Sequence, residues 1–525
     1  MRKLAVPAGL PVLASAALGA VYLIWAPPST DLAAQTFRAE LFADQGFVVW
    51  SEAWYGGFHV LGYSVLYPPL AALVGVRLAG VLAAVVAAAL FAVLARRRFG
   101  DRALLGSLWF AAGAGAWLFT GRLTFLLGIA IGLAALLAAD GRRHALAAVL
   151  AGVAALASPV AGAFVGLAGV AVGLAGGRVP AAALALPPAG AIAVLSLAFP
   201  TTGEAPFTLS SFIAVPLFAL AALWLIPREM RALRIGIALY CLLALAVFAI
   251  PNPLGGNVVR LGALFAGPLA ALCLRSRPLL LVAVAVPLLY WQLDAPIRDA
   301  AAGVGDPSTE AAYYEPLLDE LDELGVAASA GPRIHIPPTK NRWEAVYVAP
   351  DYPLARGWLR QLEAEDFDLF DDGNLTIASY AAWLDEHAVG YVAVPDAELD
   401  YLSRDEVALI DDGLPYLDLE WQSEDWRLYR VLSDPPMVTV ASPGADLEPP
   451  IVRRLGEDGF VLAGAPGEYL VRVGWTRYWQ LEGADACVAR DDGWTRVELE
   501  EPGEVEVMVR FSLEALPGRD RVCSA

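Results

Sequence analysis

The sequence predicts a polytopic α-helical membrane domain of about eleven transmembrane helices, followed by an exported α/β domain and an exported β-sandwich domain. Of the 525 residues, 58% are apolar and only 17% are charged, and the mean hydropathy is +0.56, which is too apolar for an ordinary soluble protein. The net charge of −19 is uneven: residues 1–294 hold 18 basic and 9 acidic residues, whereas residues 295–525 hold 18 and 46. We therefore expect domains at residues 1–294, 295–435 and 436–525.

Eleven apolar runs in the first domain approach the length of a transmembrane helix. A bilayer core of about 30 Å needs roughly 20 apolar residues per helix. The runs lie at residues 4–26, 71–95, 103–119, 122–139, 145–157, 159–177, 180–199, 209–226, 233–250, 258–274 and 278–293. One kinked helix is an alternative to two short ones at Ser158-Pro159, because proline interrupts helical hydrogen bonding. The first run could also be a cleaved signal peptide.

Basic residues between these runs predict the topology, because arginine and lysine are retained on the cytoplasmic side. Alternate connections carry the basic residues, which are Arg2, Lys3, Arg96, Arg97, Arg98, Arg102, Arg142, Arg143, Arg178, Arg228, Arg231, Arg234, Arg275 and Arg277. This pattern predicts a multi-pass protein of the cytoplasmic membrane with its N-terminus inside. An odd number of spans then places the acidic C-terminal half outside.

The acidic half reads as two soluble domains. Short apolar runs at 333–337, 344–349 and 389–394 predict buried strands, and residues 376–387 and 403–410 predict helices between them, which is typical of an α/β domain. Beyond Pro435-Pro436, alternating apolar residues and regularly spaced glycines predict a β-sandwich. If this half is extracytoplasmic, Cys487 and Cys523 could form a disulfide.

The connection after the first apolar run is longer and more varied than a simple linker. It contains Asp31 a few residues after the helix, a passage rich in tryptophan, tyrosine and glycine at 50–63, and Tyr67-Pro68-Pro69-Leu70 where the chain returns to the membrane. This composition predicts a pocket at the membrane surface, although aromatic residues also anchor proteins at the interface. Trp54, Tyr55 and Tyr67 are the aromatic residues that we expect to contact substrate.

These features, with the motif at 120–128, Ser158-Pro159 and Asn257-Val258-Val259-Arg260, resemble polytopic glycosyltransferases of the C fold class (GT-C). The resemblance covers most of residues 1–294. It implies transfer of a sugar from a polyprenyl-phosphate donor to a saccharide or other envelope acceptor on the outer face. It also implies a catalytic carboxylate in the first outer loop, and Asp31 matches that position. Some members use paired acids with a divalent metal, but Thr30-Asp31-Leu32 offers no adjacent pair, so no metal ligand is predicted and the cofactor stays unknown.

Asp31 is the candidate general base, because an acceptor hydroxyl needs a proton acceptor within hydrogen-bond reach. The alternative is that Asp31 only caps a helix or contacts solvent. Glu52 and His59 are further catalytic candidates in the same loop. For a histidine among aromatic residues, the structural alternative is a hydrogen-bonded residue of the core.

The donor phosphate needs cations at membrane depth on the outer side, and arginine pairs well with two phosphate oxygens. Arg260, Arg122 and Arg77 are the candidates in that order, with snorkelling or an internal ion pair as the alternative. Asn257, next to Arg260, is a further candidate for substrate binding. In the exported half, Arg342 and Trp343 could bind a saccharide, or could dock this domain on the membrane domain.

Other classes of function are disfavoured by the sequence. Nucleic acid is an unexpected partner, because the acidic half would repel phosphates. Two rival functions remain open: a transporter or flippase of a lipid-linked saccharide, and a non-catalytic scaffold for envelope assembly. A transporter is expected to show internal repeats and ionisable residues near the bilayer midplane, whereas the acids of this sequence lie in loops or at helix ends.

Overall fold

The computed structural model describes residues 9–53, 57–200, 203–326, 331–357, 369–370, 373–441, 450–454 and 458–524. The chain forms two compact units. The first contains residues 1–46 and 62–304, and the second contains residues 47–61 and 305–525. A short segment of the N-terminal half thus belongs to the C-terminal unit.

The first unit is helical. Its helices are α1 (Leu10–Trp25), α2 (Thr30–Gln45), α3 (Tyr67–Val74), α4 (Val76–Phe99), α5 (Leu104–Ala116), α6 (Leu123–Asp140), α7 (His144–Ala157), α8 (Pro159–Leu174), α9 (Arg178–Ala198), α10 (Leu209–Leu225), α11 (Arg231–Ala249), α12 (Val259–Cys273) and α13 (Pro278–Ala302). Small residues let these helices approach closely. Helix α7, for example, buries only alanines, at positions 147, 151, 154, 155 and 157, and packs against α6 and α9.

The chain is a multi-pass membrane protein. Six stretches of the described residues are long and apolar enough to cross a membrane, at 76–120, 123–140, 178–198, 231–249, 255–273 and 278–302. A seventh is added if α1 and α2, which are bent by 81° at their junction, count as one span. Residues 76–120 include α4 and α5, which pack against each other, while α7, α8 and α10 have only 14, 16 and 17 residues. Each of the eleven predicted runs coincides with a helix, but eleven crossings remain a prediction.

The Ser158-Pro159 sequence separates two helices and does not kink a single one. Helix α7 ends at Ala157 and α8 begins at Pro159, with Ser158 in an extended conformation between them. The Ser158 hydroxyl accepts a hydrogen bond from the Ala161 amide at 3.4 Å and caps α8. The two helices then pack against each other as a hairpin.

The first outer connection differs from the loop predicted by the sequence. Residues 30–45 form helix α2, which buries Leu32, Ala34, Phe37 and Leu41 at helical spacing. The sequence of α2 alternates short apolar and polar runs and therefore lacks the continuous apolar stretch of the other long helices. Pro27-Pro28 ends the preceding helix and allows the sharp turn between α1 and α2.

The second unit contains an α/β part. Its elements are α14 (Ala311–Glu323), β3 (Arg333–His335), α15 (Glu344–Tyr347), α16 (Ile377–Glu386), β4 (Val389–Pro395), α17 (Arg404–Asp411), β5 (Leu417–Gln422) and β6 (Trp426–Val431). The strands form one sheet in the order β3-β4-β6-β5, in which only β3 and β4 are parallel. Buried side chains of β4 and α16 make up much of its core.

The strand predicted at residues 344–349 is wrong. Residues 344–347 form the helical turn α15, because Arg342 has a positive φ of 58° and turns the chain, and the Glu344 carboxylate accepts hydrogen bonds from the amide and hydroxyl of Thr339. A run of four apolar residues does not distinguish a strand from a helical turn.

The C-terminal part of the second unit consists of two antiparallel sheets. Their strands are β7 (Val438–Val440), β8 (Ile451–Arg454), β9 (Gly459–Gly464), β10 (Gly467–Gly474), β11 (Trp479–Gly483), β12 (Ala486–Asp491), β13 (Trp494–Leu499), β14 (Gly503–Val509) and β15 (Arg521–Cys523). The orders are β15-β12-β13-β10-β7 and β11-β14-β9-β8. The Trp479 indole of one sheet donates to the Thr495 hydroxyl of the other at 3.2 Å. Cys487 and Cys523 lie directly opposite each other and form a disulfide.

Residues 47–61 are an inserted hairpin of the second unit. Strands β1 (Trp50–Ser51) and β2 (Phe58–His59) pair with each other, and the Ala53 carbonyl accepts a hydrogen bond from the Leu354 amide. The Glu52 carboxylate lies 2.6 Å from Arg333, which is completely buried in β3. This buried ion pair attaches the hairpin to the α/β sheet.

Candidate functional site

The turn between α1 and α2 places a carboxylate at a helix N-terminus. Ser29 is extended and precedes α2, and Asp31 lies in the first turn of that helix. A negative charge is favourable there, because the first amide N–H groups of a helix carry partial positive charge. Asp31 is largely shielded, with 14% of its side chain exposed.

Gly121 allows a second segment to approach Asp31 closely. It follows the 3-10 turn at Trp117–Thr120 and has a φ of 72°, in the left-handed region that favours glycine. A Cβ atom at this position would lie 2.6 Å from the Ser29 hydroxyl and would also collide with the Leu32 amide. The chain can therefore pass directly beside the start of α2, and the next residue, Arg122, is brought to Asp31.

Arg122 lies between two carboxylates. Its Nε donates to Asp31 Oδ2 at 2.6 Å, and its Nη2 lies 3.7 Å from Asp299 Oδ2. Asp299 is in the last turn of α13, which ends at Ala302. The next residue, Gly303, has no side chain and so leaves room for the Pro28 carbonyl. The end of α13 thus packs on the turn that leads to Asp31.

Asp299 was missed by the sequence analysis. We placed the end of the membrane domain at residue 294, where the apolar run stops, but α13 continues for two more turns to Ala302. The signal that could have found it is the pair Asp294 and Asp299 at the C-terminal end of the last apolar run, followed by Gly303.

Two further arginines and a tyrosine complete the cluster. Arg38 lies on α2 with its guanidinium 4.3 Å from the centre of the Tyr63 ring. Arg260, the second residue of α12, lies 5.7 Å from the Phe125 ring and within electrostatic range of the Tyr63 hydroxyl. Asp31 and Arg122 are both within electrostatic range of Arg260.

The charges of this cluster favour an anionic ligand. We call Asp31, Arg38, Arg122, Arg260 and Asp299 the outer-end cluster, because the sequence predicts that all five residues lie at the outer side of the membrane. Three guanidinium groups and two carboxylates give a net charge of +1. A single phosphate group with one negative charge would neutralise it, and guanidinium groups bind phosphate oxygens well.

A large apolar cavity lies between the helices next to Arg260. Its volume is about 590 Å³, and its walls come from α6, α8 and α10 to α13. Leu261 and Gly262, which follow Arg260 in the chain, line it, and so does Ile129, one turn after Phe125. The volume is in the range of small-molecule sites, and the lining suits a hydrocarbon chain.

Two other predicted residues of the first unit have structural contacts. Arg77 lies on α4 with its guanidinium 5.9 Å from the Tyr22 ring. Tyr67 is completely buried, and its hydroxyl donates to the Val76 carbonyl at 2.7 Å.

Asn257 lies in the 3-10 turn that leads into α12, three residues before Arg260. Trp54 and Tyr55 lie outside the described residues.

Glu52 and His59 belong to the second unit. Glu52 pairs with Arg333, as described above, and His59 Nε2 lies 3.2 Å from the Thr476 hydroxyl. The His59 ring also lies edge to face against Trp50, with 5.2 Å between the ring centres. The catalytic roles of both residues stay predictions.

Arg342 and Trp343 are buried in the second unit. Arg342 pairs with Asp400 at 3.1 Å, and the Trp343 ring stacks on Tyr347 with 5.6 Å between centres. The neighbouring Glu344 is also buried, and this burial raises its pKa to about 7, although hydrogen bonds from Thr339 and the charge of Arg342 act in the opposite direction. Arg342 and Trp343 are both at most 6% exposed, and their saccharide-binding role stays a prediction.

A second ionic group in this unit surrounds Glu406. His335 and Arg356 lie 2.5 and 3.3 Å from its carboxylate oxygens, and the Tyr380 hydroxyl donates to it at 2.9 Å. Burial acts to raise the pKa of Glu406, but His335 and Arg356 outweigh it and hold that pKa below its usual value. All four side chains are buried within the α/β part, where each charge has a partner of opposite charge or a hydrogen-bond donor.

No group of three histidine, cysteine or carboxylate side chains that could hold a metal ion occurs within the described ranges. In the outer-end cluster, the positive charge between Asp31 and Asp299 comes from Arg122.

Comparisons with known proteins give distant structural similarity. No protein-family model and no curated protein sequence matches the chain. Two solved structures of arabinofuranosyltransferase AftD from Mycobacteria, one of them a mutant, align with it at 14% and 15% identity and TM-scores of 0.49 and 0.48. The alignments cover 99% and 100% of this chain but only 58% and 61% of those chains, so this chain spans about three fifths of their length. These values do not assign the chain to a family.

Proposed function

We propose that the protein is an integral-membrane glycosyltransferase that moves a sugar from a polyprenyl-phosphate donor to a saccharide or other envelope acceptor on the outer face of the cytoplasmic membrane. The observation that carries the proposal is the outer-end cluster, in which a carboxylate at a helix N-terminus lies beside arginines and next to an apolar cavity. Each part supplies one requirement of the reaction.

The carboxylate of Asp31 would act as the general base. It accepts the proton of the acceptor hydroxyl while that oxygen attacks the anomeric carbon of the donor. The bond between the anomeric carbon and the phosphate oxygen breaks, and the polyprenyl phosphate leaves with the electron pair. The single hydrogen bond described between Arg122 and Asp31 engages Oδ2, which leaves Oδ1 as the oxygen for the acceptor hydroxyl.

The arginines would bind the phosphate of the donor. Arg260 is the first candidate, because it is held next to the cavity and its neighbours Phe125 and Tyr63 do not neutralise its charge. Negative charge accumulates on the phosphate as the glycosidic bond breaks, so a guanidinium fixed there stabilises the transition state. The cavity beside Arg260 would take part of the polyprenyl chain.

The proposed topology has the N-terminus inside and residues 305–525 outside. Arginines cluster at the opposite helix ends from Asp31, for example Arg96–Arg98 in the last turn of α4, where Asp140 pairs with Arg97 and Arg98. The Cys487–Cys523 disulfide supports an oxidising compartment for the second unit, because disulfides are rare in the cytoplasm.

Sugar transfer in a purified system tests the proposed function. The protein is reconstituted in liposomes with labelled hexosyl or pentosyl polyprenyl phosphates and a saccharide acceptor. We expect labelled product with a monophosphate-linked donor. Movement of the intact donor across the bilayer without product would instead indicate a flippase, and neither product nor movement with any donor would indicate a scaffold.

A further inference from the structure

Arg122 and Asp31 share one described hydrogen bond, whereas an isolated arginine–carboxylate pair frequently forms two. Arginine and carboxylate groups on their own prefer a fork with two parallel hydrogen bonds. Here the described hydrogen bond runs from Nε to Oδ2, while Nη2 is turned towards Asp299 at 3.7 Å. A second carboxylate therefore competes for the same guanidinium.

We propose that Asp299 is a positioning residue of the outer-end cluster, a role that rests on the proposed transferase function. By attracting Nη2 of Arg122, it keeps the guanidinium from closing as a fork over both oxygens of Asp31. One oxygen of the base then remains for the acceptor hydroxyl. Asp299 acts through Arg122 and does not itself accept the proton.

The fold holds Asp299 in the orientation that this role needs. Gly303, one turn later, lies against Pro28, so the end of α13 is fixed beside the turn that precedes Asp31. The adjacent Arg298 is engaged by Asp294 at 2.8 Å, one turn earlier on the same helix. Asp299 therefore has Arg122 as its ion-pair partner, and 28% of its side chain is exposed.

Asp299 also sets the charge that a phosphate encounters. The cluster has a net charge of +1, and neutralising Asp299 would raise it to +2. Asp31 and Arg260 both lie within electrostatic range of Asp299, so the lost charge would make the electrostatic potential at the proposed phosphate site more positive. Loss of this carboxylate should therefore strengthen anion binding while it impairs the base.

Stronger phosphate binding combined with slower sugar transfer distinguishes a positioning role of Asp299 from a merely structural one. We expect Asp299→Asn to bind polyprenyl phosphate about fivefold more tightly, because removing one nearby negative charge contributes on the order of 1 kcal/mol at a partly exposed site. Sugar transfer by the same variant should fall about tenfold or more, because misplaced catalytic groups cost up to about 100-fold. Asp299→Glu restores the charge, so its phosphate affinity and its transfer rate should both lie between those of Asp299→Asn and the unmodified protein.

The experiment measures two quantities on the full chain in liposomes: binding of sugar-free polyprenyl phosphate, and the turnover number for transfer from its glycosylated form. Asp44→Asn is the matched control, since it removes an exposed carboxylate near the far end of α2 that takes no part in the contacts of Asp299 and Arg122, and both quantities should stay near those of the unmodified protein. Weaker phosphate binding by Asp299→Asn, or unchanged transfer, would overturn the role of Asp299. Absence of transfer by the unmodified protein would overturn the proposed function itself.

Discussion

Arg260 is the residue for which the proposed function makes the simplest prediction. Its guanidinium has an aromatic and a phenolic neighbour, in contrast to Arg122, which has two carboxylates. Arg260→Lys keeps the charge but loses the planar fork, so donor binding should weaken about tenfold, equivalent to one charged hydrogen bond of about 1.5 kcal/mol.

Binding of polyprenyl phosphate to the purified protein checks this prediction. Arg298→Lys is the control, because Arg298 is 71% exposed and pairs with Asp294. Unchanged donor affinity in Arg260→Lys at normal expression would make Arg260 a structural residue and would move attention to Arg38.

Glu344 predicts a pH dependence of stability in the second unit. Burial raises its pKa to about 7 in the folded protein, against roughly 4.3 in an unfolded chain. Between these values the folded state binds a proton that the unfolded state lacks, so the free energy of unfolding should fall as the pH rises from about 4.5 to 7 and then level off. The contribution of this one group is on the order of 4 kcal/mol at most.

Thermal unfolding of the full chain in detergent, followed by tryptophan fluorescence from pH 5 to 8, measures this slope. Glu344→Gln is neutral at every pH, so it should flatten the slope and raise the melting temperature at pH 8. Glu398→Gln, which removes an exposed partner of Lys340, should keep the slope of the unmodified protein. If the melting temperature changed with pH to the same extent in all three proteins, Glu344 would already be ionised in the folded protein at pH 5, which would contradict the prediction.

The inserted hairpin of residues 47–61 lies in the chain between two segments that contribute residues to the first unit. It follows α2, which carries Asp31 and Arg38, and Tyr63 comes two residues after it. Its Glu52 is 3% exposed and faces Arg333, so Glu52→Gln would leave a buried guanidinium unpaired. Breaking a buried ion pair typically costs about 3–5 kcal/mol.

We therefore expect Glu52→Gln to lower the melting temperature clearly, while transfer per folded molecule stays close to normal. Glu504→Gln, from an exposed pair with Arg453, is the control and should change neither. The opposite result, an unchanged melting temperature with transfer lost by about 100-fold, would support the catalytic role that the sequence suggested for Glu52.

Eleven helices of the first unit, α1 and α4 to α13, were predictable because each one lies in an apolar run. Helix α2 was not, because it mixes charged and apolar residues and is stabilised by burial of Arg38 and Phe37 among its neighbours. The turn at 344–347 was misread for a related reason, since only the Thr339 hydrogen bonds distinguish it from a strand.

The outer-end cluster could be predicted in part. Arg122 and Arg260 were identified because a charge beside an apolar run is costly and requires a partner. Asp31 was identified because its place after the first helix matches the carboxylate that the resemblance implies. Asp299 and Tyr63 could not be assigned, because sequence separations of 268 and 32 residues from Asp31 say nothing about which helix ends meet. That information comes from the close approaches at Gly121 and Gly303.

The topology is a prediction for the whole molecule. Arginine clusters at one set of helix ends and the disulfide of the second unit both favour an extracytoplasmic C-terminus. Alkaline phosphatase fused to the C-terminus of the full chain should be active, and a green fluorescent protein at the same position should be dark. The reverse result would place the second unit in the cytoplasm and would exclude transfer on the outer face.

The most direct test of the central claim compares Asp31→Asn with Asp44→Asn, an exposed acid near the other end of the same helix. Both proteins are reconstituted at equal amounts, and donor binding and sugar transfer are measured side by side. Asparagine preserves the size of the side chain but loses the ion pair with Arg122, so the amount of folded protein is measured for each variant and transfer is expressed per folded molecule. The proposed function predicts that Asp31→Asn retains donor binding but loses transfer by roughly 100-fold or more, whereas Asp44→Asn transfers normally. Near-normal transfer by Asp31→Asn would contradict it.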